Sequence, residues 1–238
     1  QCKSSVMLAA MKTHGKTLIK AKKSRNHTEL IFRYLKIPIK ITKKKEYENI
    51  EINGPANFNG FDYRIPGDIS SSAFFIVLTI LSKNSKIIIR NVNVNNSRIG
   101  IIKILNKMNA KISLVNRKIY KGEDQADIIV KSRSNLKSIN CPKNLNSYAI
   151  DEFLVIFLVA AKAKGISYFK DLSELNQKES PRLTWGSRIL NKMGIKTILT
   201  KDSIKIFGNP ELKINKKIVI KNFLKDHRVF MASVIAAL

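Results

Sequence analysis

Residues 98–112 read RIGIIKILNKMNAKI, and residues 182–198 read RLTWGSRILNKMGIKTI. The likeness of the two stretches marks one structural element used twice, and the surroundings repeat with it. Before the first copy, Ile69, Ala73, Ile76, Val77 and Ile80 recur near helical spacing, which predicts a helix over 70–81. A strand over 85–92, a helix over 98–108 and strands over 111–115 and 126–131 follow. Around the second copy the pattern predicts a helix over 151–162 with a C-cap signal at Lys164-Gly165, and a strand over 166–171. A helix over 180–193 and a hairpin of 196–200 with 203–207 complete that cycle. An earlier cycle has helices over 4–11 and 26–35 and strands over 16–21, 37–43 and 47–52. A last helix opens at Asp226 and runs to the terminus. Each cycle reads helix–strand–helix–strand–strand over roughly 60–80 residues, longer than a solenoid repeat. The reading is an α+β fold of α/β-type repeats packed around a shared interior. Residues 57–66 (NFNGFDYRIP) are irregular and read as a crossing between domains, which divides the chain into 1–66 and 67–238.

The 238 residues suit one large domain or two small ones, and 44% hydrophobic with 26% charged residues is ordinary for a folded chain. The net charge of +27 invites a polynucleotide partner. A duller cause is at hand: 34 Lys stand against only 10 Arg, beside 35 Ile and 22 Asn, the residues of A/T-rich codons. Specific readers of DNA lean on Arg. Single-strand binders interleave aromatics with their basic residues, and aromatics are 8% here without such a pattern. A basic RNA-binding module therefore stands only as an alternative, and a small anionic substrate fits the composition better. The longest apolar run, residues 153–161, is far short of the roughly 20 residues of a spanning helix, so no membrane role is expected. Cys2, Cys141 and three histidines make neither a disulfide framework nor a zinc pattern, and a reducing cytoplasmic compartment is expected. No P-loop, G-x-G-x-x-G or G-x-S-x-G motif occurs.

The polar clusters sit at helix starts: SRNHTE from Ser24, GDISSS from Gly67, NNSR from Asn95, KESPR from Lys178 and KDHR from Lys225. Helix N-termini attract anions, and Ser, Asp and Asn are also ordinary N-caps, so GDISSS and NNSR are open to either reading. A first-turn Arg opposes the helix dipole. Arg98, Arg182 and Arg228 therefore need another reason to be there, and an anionic ligand supplies one. Helical spacing puts Lys178 and Arg182 on one face and lets Glu179 pair with Arg182. Asp151-Glu152 opens an apolar helix, either as an N-cap with an acidic first turn or as a carboxylate serving as general base.

SRNHTE, PGDISSSAFF, NVNVNNSRIG, GEDQADI, IDEF, ELNQKESPR and KDHRVFMA stand in the order seen in the EPSP synthases, the 3-phosphoshikimate 1-carboxyvinyltransferases, and the resemblance covers essentially the whole chain. GEDQAD and SRNHTE look most like the bacterial class that tolerates glyphosate. The resemblance implies two domains built from βαβαββ units around an interdomain cleft. It implies transfer of the enolpyruvyl group of phosphoenolpyruvate to the 5-hydroxyl of shikimate 3-phosphate, on the route to chorismate, with no metal and no organic cofactor. A cytoplasmic monomer with small anionic substrates is expected.

By the same resemblance, Gln1 touches both substrates, and Ser24, Arg25, Asp151, Glu174 and Lys178 contact shikimate 3-phosphate. Asp151 is the proton acceptor, and Glu179 moves protons to and from the pyruvyl methyl carbon. Arg182, His227 and Arg228 hold phosphoenolpyruvate. Three departures stand out: Pro181 replaces the Asp of KESDR, Leu154 replaces the Pro after IDE, and Asn96 replaces the Pro of NPTR. Family members are much longer, and the chain opens at Gln1 without a starting Met. The 238 residues are thus expected to be truncated at both ends and inactive alone. The related UDP-N-acetylglucosamine enolpyruvyltransferase is the nearest rival.

Overall fold

The computed structural model describes residues 2–45, 47–214, 217–221 and 225–238. The first unit consists of α1 (Cys2–Ala10), β1 (Gly15–Lys22), α2 (His27–Tyr34), β2 (Ile39–Lys43) and β3 (Tyr47–Gly54). The second has α3 (Ile69–Leu81), β4 (Lys86–Asn93), α4 (Gly100–Lys107), β5 (Lys111–Tyr120) and β6 (Glu123–Lys131). The third has α5 (Phe153–Lys162), β7 (Gly165–Phe169), α6 (Arg182–Lys192), β8 (Thr197–Leu199) and β9 (Ile204–Gly208), and α7 (His227–Ala237) follows.

Each unit makes one sheet in which its last strand lies between the other two: β1-β3-β2, β4-β6-β5 and β7-β9-β8. Both pairings of the central strand are antiparallel, as in Ile19↔Ile50 and Ile41↔Ile50. The two outer strands are therefore parallel to each other. They are joined by a crossover helix, as parallel strands require, and the third strand returns through the gap. A short leading strand survives as isolated parallel bridges, Gly67↔Val92 in the second unit and Lys137↔Lys164 with Asn140↔Tyr168 in the third. The architecture is α+β with three βαβαββ-like units.

The expected elements are all present, with informative shifts. The β5–β6 hairpin runs on to Tyr120 and Glu123, past a register shift between Val115 and Lys118. The outer half of β5 faces solvent, so no apolar alternation announces it. Helices α4, α5 and α6 start about one half-turn later than their periodicity suggests. At Lys164-Gly165 the expected cap is absent: α5 ends at Lys162, Ala163 is extended, and Gly165 opens β7 with φ +101°.

A single shared interior is found only for the second and third units with α7; the first unit has its own cluster of Met7, Phe32, Ile37, Ile50 and Ile52. The larger core is built on α5, whose residues 153–161 are all buried, as an all-apolar helix must be. Phe153, Phe157 and Phe169 pack edge-on or tilted at centroid distances of 5.2–5.9 Å. Helices α3, α6 and α7 pack on α5. Helix α6 approaches at Gly186, where a Cβ would stand 2.6 Å from a Phe157 ring carbon. Gly186→Ala must push the two helices apart. It is expected to lower stability by about 1–3 kcal/mol, read as a lower urea midpoint at an unchanged m value.

Candidate active site

Packing around α5 gathers the starts of four helices, and polar side chains join them. Arg182 is the first residue of α6 and its side chain is only 2% exposed. Its Nε donates to Asp226 Oδ2 at 2.9 Å, Nη1 lies 3.6 Å from Asp151 Oδ1, and Nη2 donates to Glu179. Three carboxylates thus answer why an Arg stands in a first turn. Asp226 caps α7: its Oδ1 accepts from the backbone N–H of Arg228 at 2.8 Å and of Val229 at 3.4 Å. Its Oδ2 also accepts from Ser180 Oγ at 2.7 Å. Burial pushes the Asp226 carboxyl up, but the bonds from Arg182, Ser180 and the Arg228 N–H outweigh it and hold the group below the usual carboxylate range.

Asp151 lies two residues ahead of α5. Arg25, from the loop before α2, donates to its Oδ2 at 2.5 Å, and Lys178 Nζ stands 3.9 Å from Oδ1. Arg228 Nη1 donates to the Asp151 carbonyl at 3.1 Å. Burial opposes ionisation of Asp151, yet Arg25, Arg228 and Lys178 hold its carboxyl low, so it is an anion at neutral pH. Lys178 and Arg182 do converge, though not on one helix face: Lys178 terminates a 3-10 turn (Ser173–Gln177), and the two meet through Asp151. Lys178 also pairs with Glu174 at 3.1 Å. The expected Glu179–Arg182 pair is present. Ser24 is exposed in the loop before α2, His227 is exposed as the first residue of α7, and Gln1 lies outside the described residues. The departures leave this arrangement standing: Pro181 holds the position ahead of α6, Leu154 is buried in α5, and Asn96 is exposed in a turn.

Behind Asp151 runs a second chain of polar groups that sequence reasoning missed. Glu152 is 3% exposed and accepts from Ser70 Oγ. Arg98 Nη2 donates to Ser70 Oγ at 2.8 Å and to Asp68 Oδ1 at 2.9 Å. Asp68 caps α3 through the Ser71 N–H at 2.8 Å, so GDISSS is a cap. NNSR is not one: α4 starts at Gly100, with no side-chain bond from the residue before it. Glu152 has the N-cap place of α5 without making a cap bond, and α5 has no acidic first turn. Burial pushes its carboxyl up to about 7, with Asp151 adding to the rise against the Ser70 bond. Asp226 could have been found as the N-cap in KDHR, but its bond to Arg182 spans 44 residues and has no local signature. Among the described residues no group of His, Cys, Asp and Glu could hold a metal, and no helix is long and apolar enough to cross a membrane.

The model of the family described as EPSP synthase (3-phosphoshikimate 1-carboxyvinyltransferase) matches residues 1–238. The chain is 36% identical over 240 residues to the 3-phosphoshikimate 1-carboxyvinyltransferase of Petrotoga mobilis, covering 100% of this chain and 54% of that protein. It is 40% identical to that of Ruthia magnifica over 239 residues, covering 100% and 53%. Among solved structures, EPSP synthase from Acinetobacter baumannii superposes with a TM-score of 0.84 at 33% identity, over 98% of this chain and 53% of that one. The enolpyruvyl transferase NikO from Streptomyces tendae shares the fold, with a TM-score of 0.68 at 13% identity over 98% of this chain and 51% of its own. The chain spans about half the length of the curated relatives it matches.

Three outcomes follow from the site's electrostatics. Arg182→Ala leaves Asp226 buried without its cation and should cost about 3–5 kcal/mol in urea unfolding at neutral pH. Because Asp151 and Asp226 are held low, the stability they confer is complete above the ordinary Asp value of about 3.9 and is lost as pH falls through their folded values. Glu152 has the opposite sign. Its raised value makes the fold disfavour the charged form, so the cost grows from about pH 4.3 and is full above about 7. Glu152→Gln is therefore expected to gain thermal stability over the wild type at alkaline pH, with the gain shrinking as pH falls toward 4.3.

Proposed function

Because the chain belongs to the EPSP synthase family, we propose that, as part of a longer chain, it transfers the enolpyruvyl group of phosphoenolpyruvate to the 5-hydroxyl of shikimate 3-phosphate. The observation that carries this reading is the convergence of Arg25, Lys178, Arg182 and Arg228 on Asp151. Both substrates are polyanions, and a guanidinium pairs best with phosphate or carboxylate oxygens. The 5-hydroxyl oxygen attacks C2 of phosphoenolpyruvate while C3 takes up a proton, giving a tetrahedral phosphate ester. The C2–O bond to phosphate then breaks, the methyl carbon loses a proton, and enolpyruvylshikimate 3-phosphate and phosphate leave.

Asp151 takes the hydroxyl proton. With Arg25 and Lys178 against it, it is a weak base. Shikimate 3-phosphate draws those cations onto its phosphate, and Asp151 becomes more basic when the hydroxyl is in place. Glu179, whose side chain is largely exposed beside Arg182, serves the methyl carbon. Arg182, Arg228 and His227 hold phosphoenolpyruvate; Gln1, Ser24, Arg25, Glu174 and Lys178 hold shikimate 3-phosphate. The scheme uses no metal or organic cofactor and assigns the protein to the cytoplasm as a monomer. Residues 1–66 belong to one domain and 67–238 to the other, a division supported by the separate apolar clusters.

The test is phosphate release from phosphoenolpyruvate by the full-length parent. Release is expected with shikimate 3-phosphate and not with UDP-N-acetylglucosamine, and none from residues 1–238 alone. Asp151→Ala and Arg182→Ala in the parent should each lower kcat/KM by about 10²–10⁴-fold. Release only with the nucleotide sugar, or with neither acceptor, would reject the reading.

A further inference from the structure

The first unit buries an ion pair between its two helices. Lys3 Nζ, in the first turn of α1, lies 2.5 Å from Oε1 of Glu29 in the first turn of α2, and the two side chains are 8% and 3% exposed. No other polar atom of the described residues bonds to either group. A neutral bond runs beside the pair, from Thr28 Oγ1 to Ser4 Oγ at 2.7 Å. Taking two charges out of water costs several kcal/mol per ion, so a pair without further bonds is a poor way to stabilise a small core. The mechanism above uses neither residue.

Helical spacing explains where the pair stands. Lys3 shares a face with Met7 and Ala10, and Glu29 shares one with Phe32, so all of them turn inward. The apolar cluster takes only the later part of each helix: Met7 and Ala10 from α1, Ile31 and Phe32 from α2. The first turns lie beyond it, and there the inward positions are Lys3 and Glu29. Those first turns adjoin the residues assigned to substrate: Gln1 precedes α1, and Ser24 and Arg25 precede α2. Asn26 and His27 tie the start of α2 to the second unit, through Asn95 and Ser97 and through Glu123. None of these bonds reaches α1.

We propose that Lys3 and Glu29 are positioning residues: their pair sets the start of α1 against the start of α2, and so presents Gln1 with Ser24 and Arg25 as one binding surface for shikimate 3-phosphate. The inference rests on the enzymatic reading above and deepens it. The two residues act through Gln1, Ser24 and Arg25, not on the substrate itself. An apolar contact at this place would let the helices slide or turn with little change in energy. Opposite charges away from water attract steeply with distance, so the pair defines the spacing of the two helix starts. The Ser4–Thr28 bond supports the same spacing, and as a neutral bond it contributes about 1 kcal/mol.

The test is steady-state phosphate release by the full-length parent, with the urea midpoint measured for every variant. Glu29→Gln keeps the shape of the side chain without its charge, and Lys3→Met combined with Glu29→Leu removes both charges. Replacing a buried pair by apolar residues is often neutral or stabilising, so the double variant should keep the wild-type midpoint. Both variants should raise the KM for shikimate 3-phosphate about tenfold, within the roughly 10²-fold that a misplacement of about 1 Å can cost. The KM for phosphoenolpyruvate should change less. Ile37→Val weakens the small core away from the helix starts, and should lower the midpoint while leaving the KM for shikimate 3-phosphate unchanged. A parent that releases no phosphate rejects the enzymatic reading and this inference together. An active parent whose KM for shikimate 3-phosphate survives loss of the pair, or rises equally in Ile37→Val, overturns the inference alone.

Discussion

The geometry of the site depends on the buried pair between Arg182 and Asp226. Both side chains are removed from water, which costs several kcal/mol per ion before any partner is counted. The cost is met because Asp226 accepts from Arg182, Ser180 and two backbone N–H groups of α7. That carboxylate is also the cap of α7. Apolar packing on α5 brings α6 and α7 together but leaves their relative slide loosely defined. The pair fixes it, since any slide would break the cap and the ion pair together. Arg228 then reaches the Asp151 carbonyl from one side and Arg182 reaches the Asp151 carboxylate from the other.

The site is balanced in charge although the chain is not. Arg25, Lys178, Arg182 and Arg228 face Asp151, Glu174, Glu179 and Asp226. The excess behind the net +27 lies elsewhere, for example in the exposed run Lys43-Lys44-Lys45. Four adjacent cations without counterions would repel one another and loosen the helix starts. With internal carboxylates they are held in place, and an anionic ligand enters by exchange of partners. A phosphate, with more charge and more acceptor oxygens than a carboxylate, can win that exchange. The surrounding lysines raise the local concentration of anions without ordering the site.

What was legible in the sequence was what is periodic or local. The three units, their order of helices and strands along the chain, and the clustering of polar residues at helix starts all follow from apolar spacing and punctuation. Even the Glu179–Arg182 pair is three residues apart. The pairings that make a site of these clusters are distant: Arg25 with Asp151 spans 126 residues, His27 with Glu123 spans 96, and Ser70 with Glu152 spans 82. No periodicity carries such information. Helical spacing predicts that Lys178 and Arg182 meet, and they do so for another reason, because Asp151 lies between them. The resemblance named the residues, but their partners came only from the fold.

The two halves of the site are built on different physics. Asp151, Arg182 and Arg228 stand at the starts of helices that share one large apolar core, so their backbone cannot be displaced without disturbing that core. Arg25 belongs to the unit with its own small core, and the neighbouring Asn26 and His27 meet the rest of the chain through hydrogen bonds. Opening a polar contact returns its groups to water, which offsets much of the lost bond, whereas separating packed apolar faces has no such return. Separating the two parts therefore costs less than opening the large core, and it would withdraw Arg25 from Asp151. That step frees one cation to follow an incoming anion while the proton-accepting carboxylate stays where the core has put it.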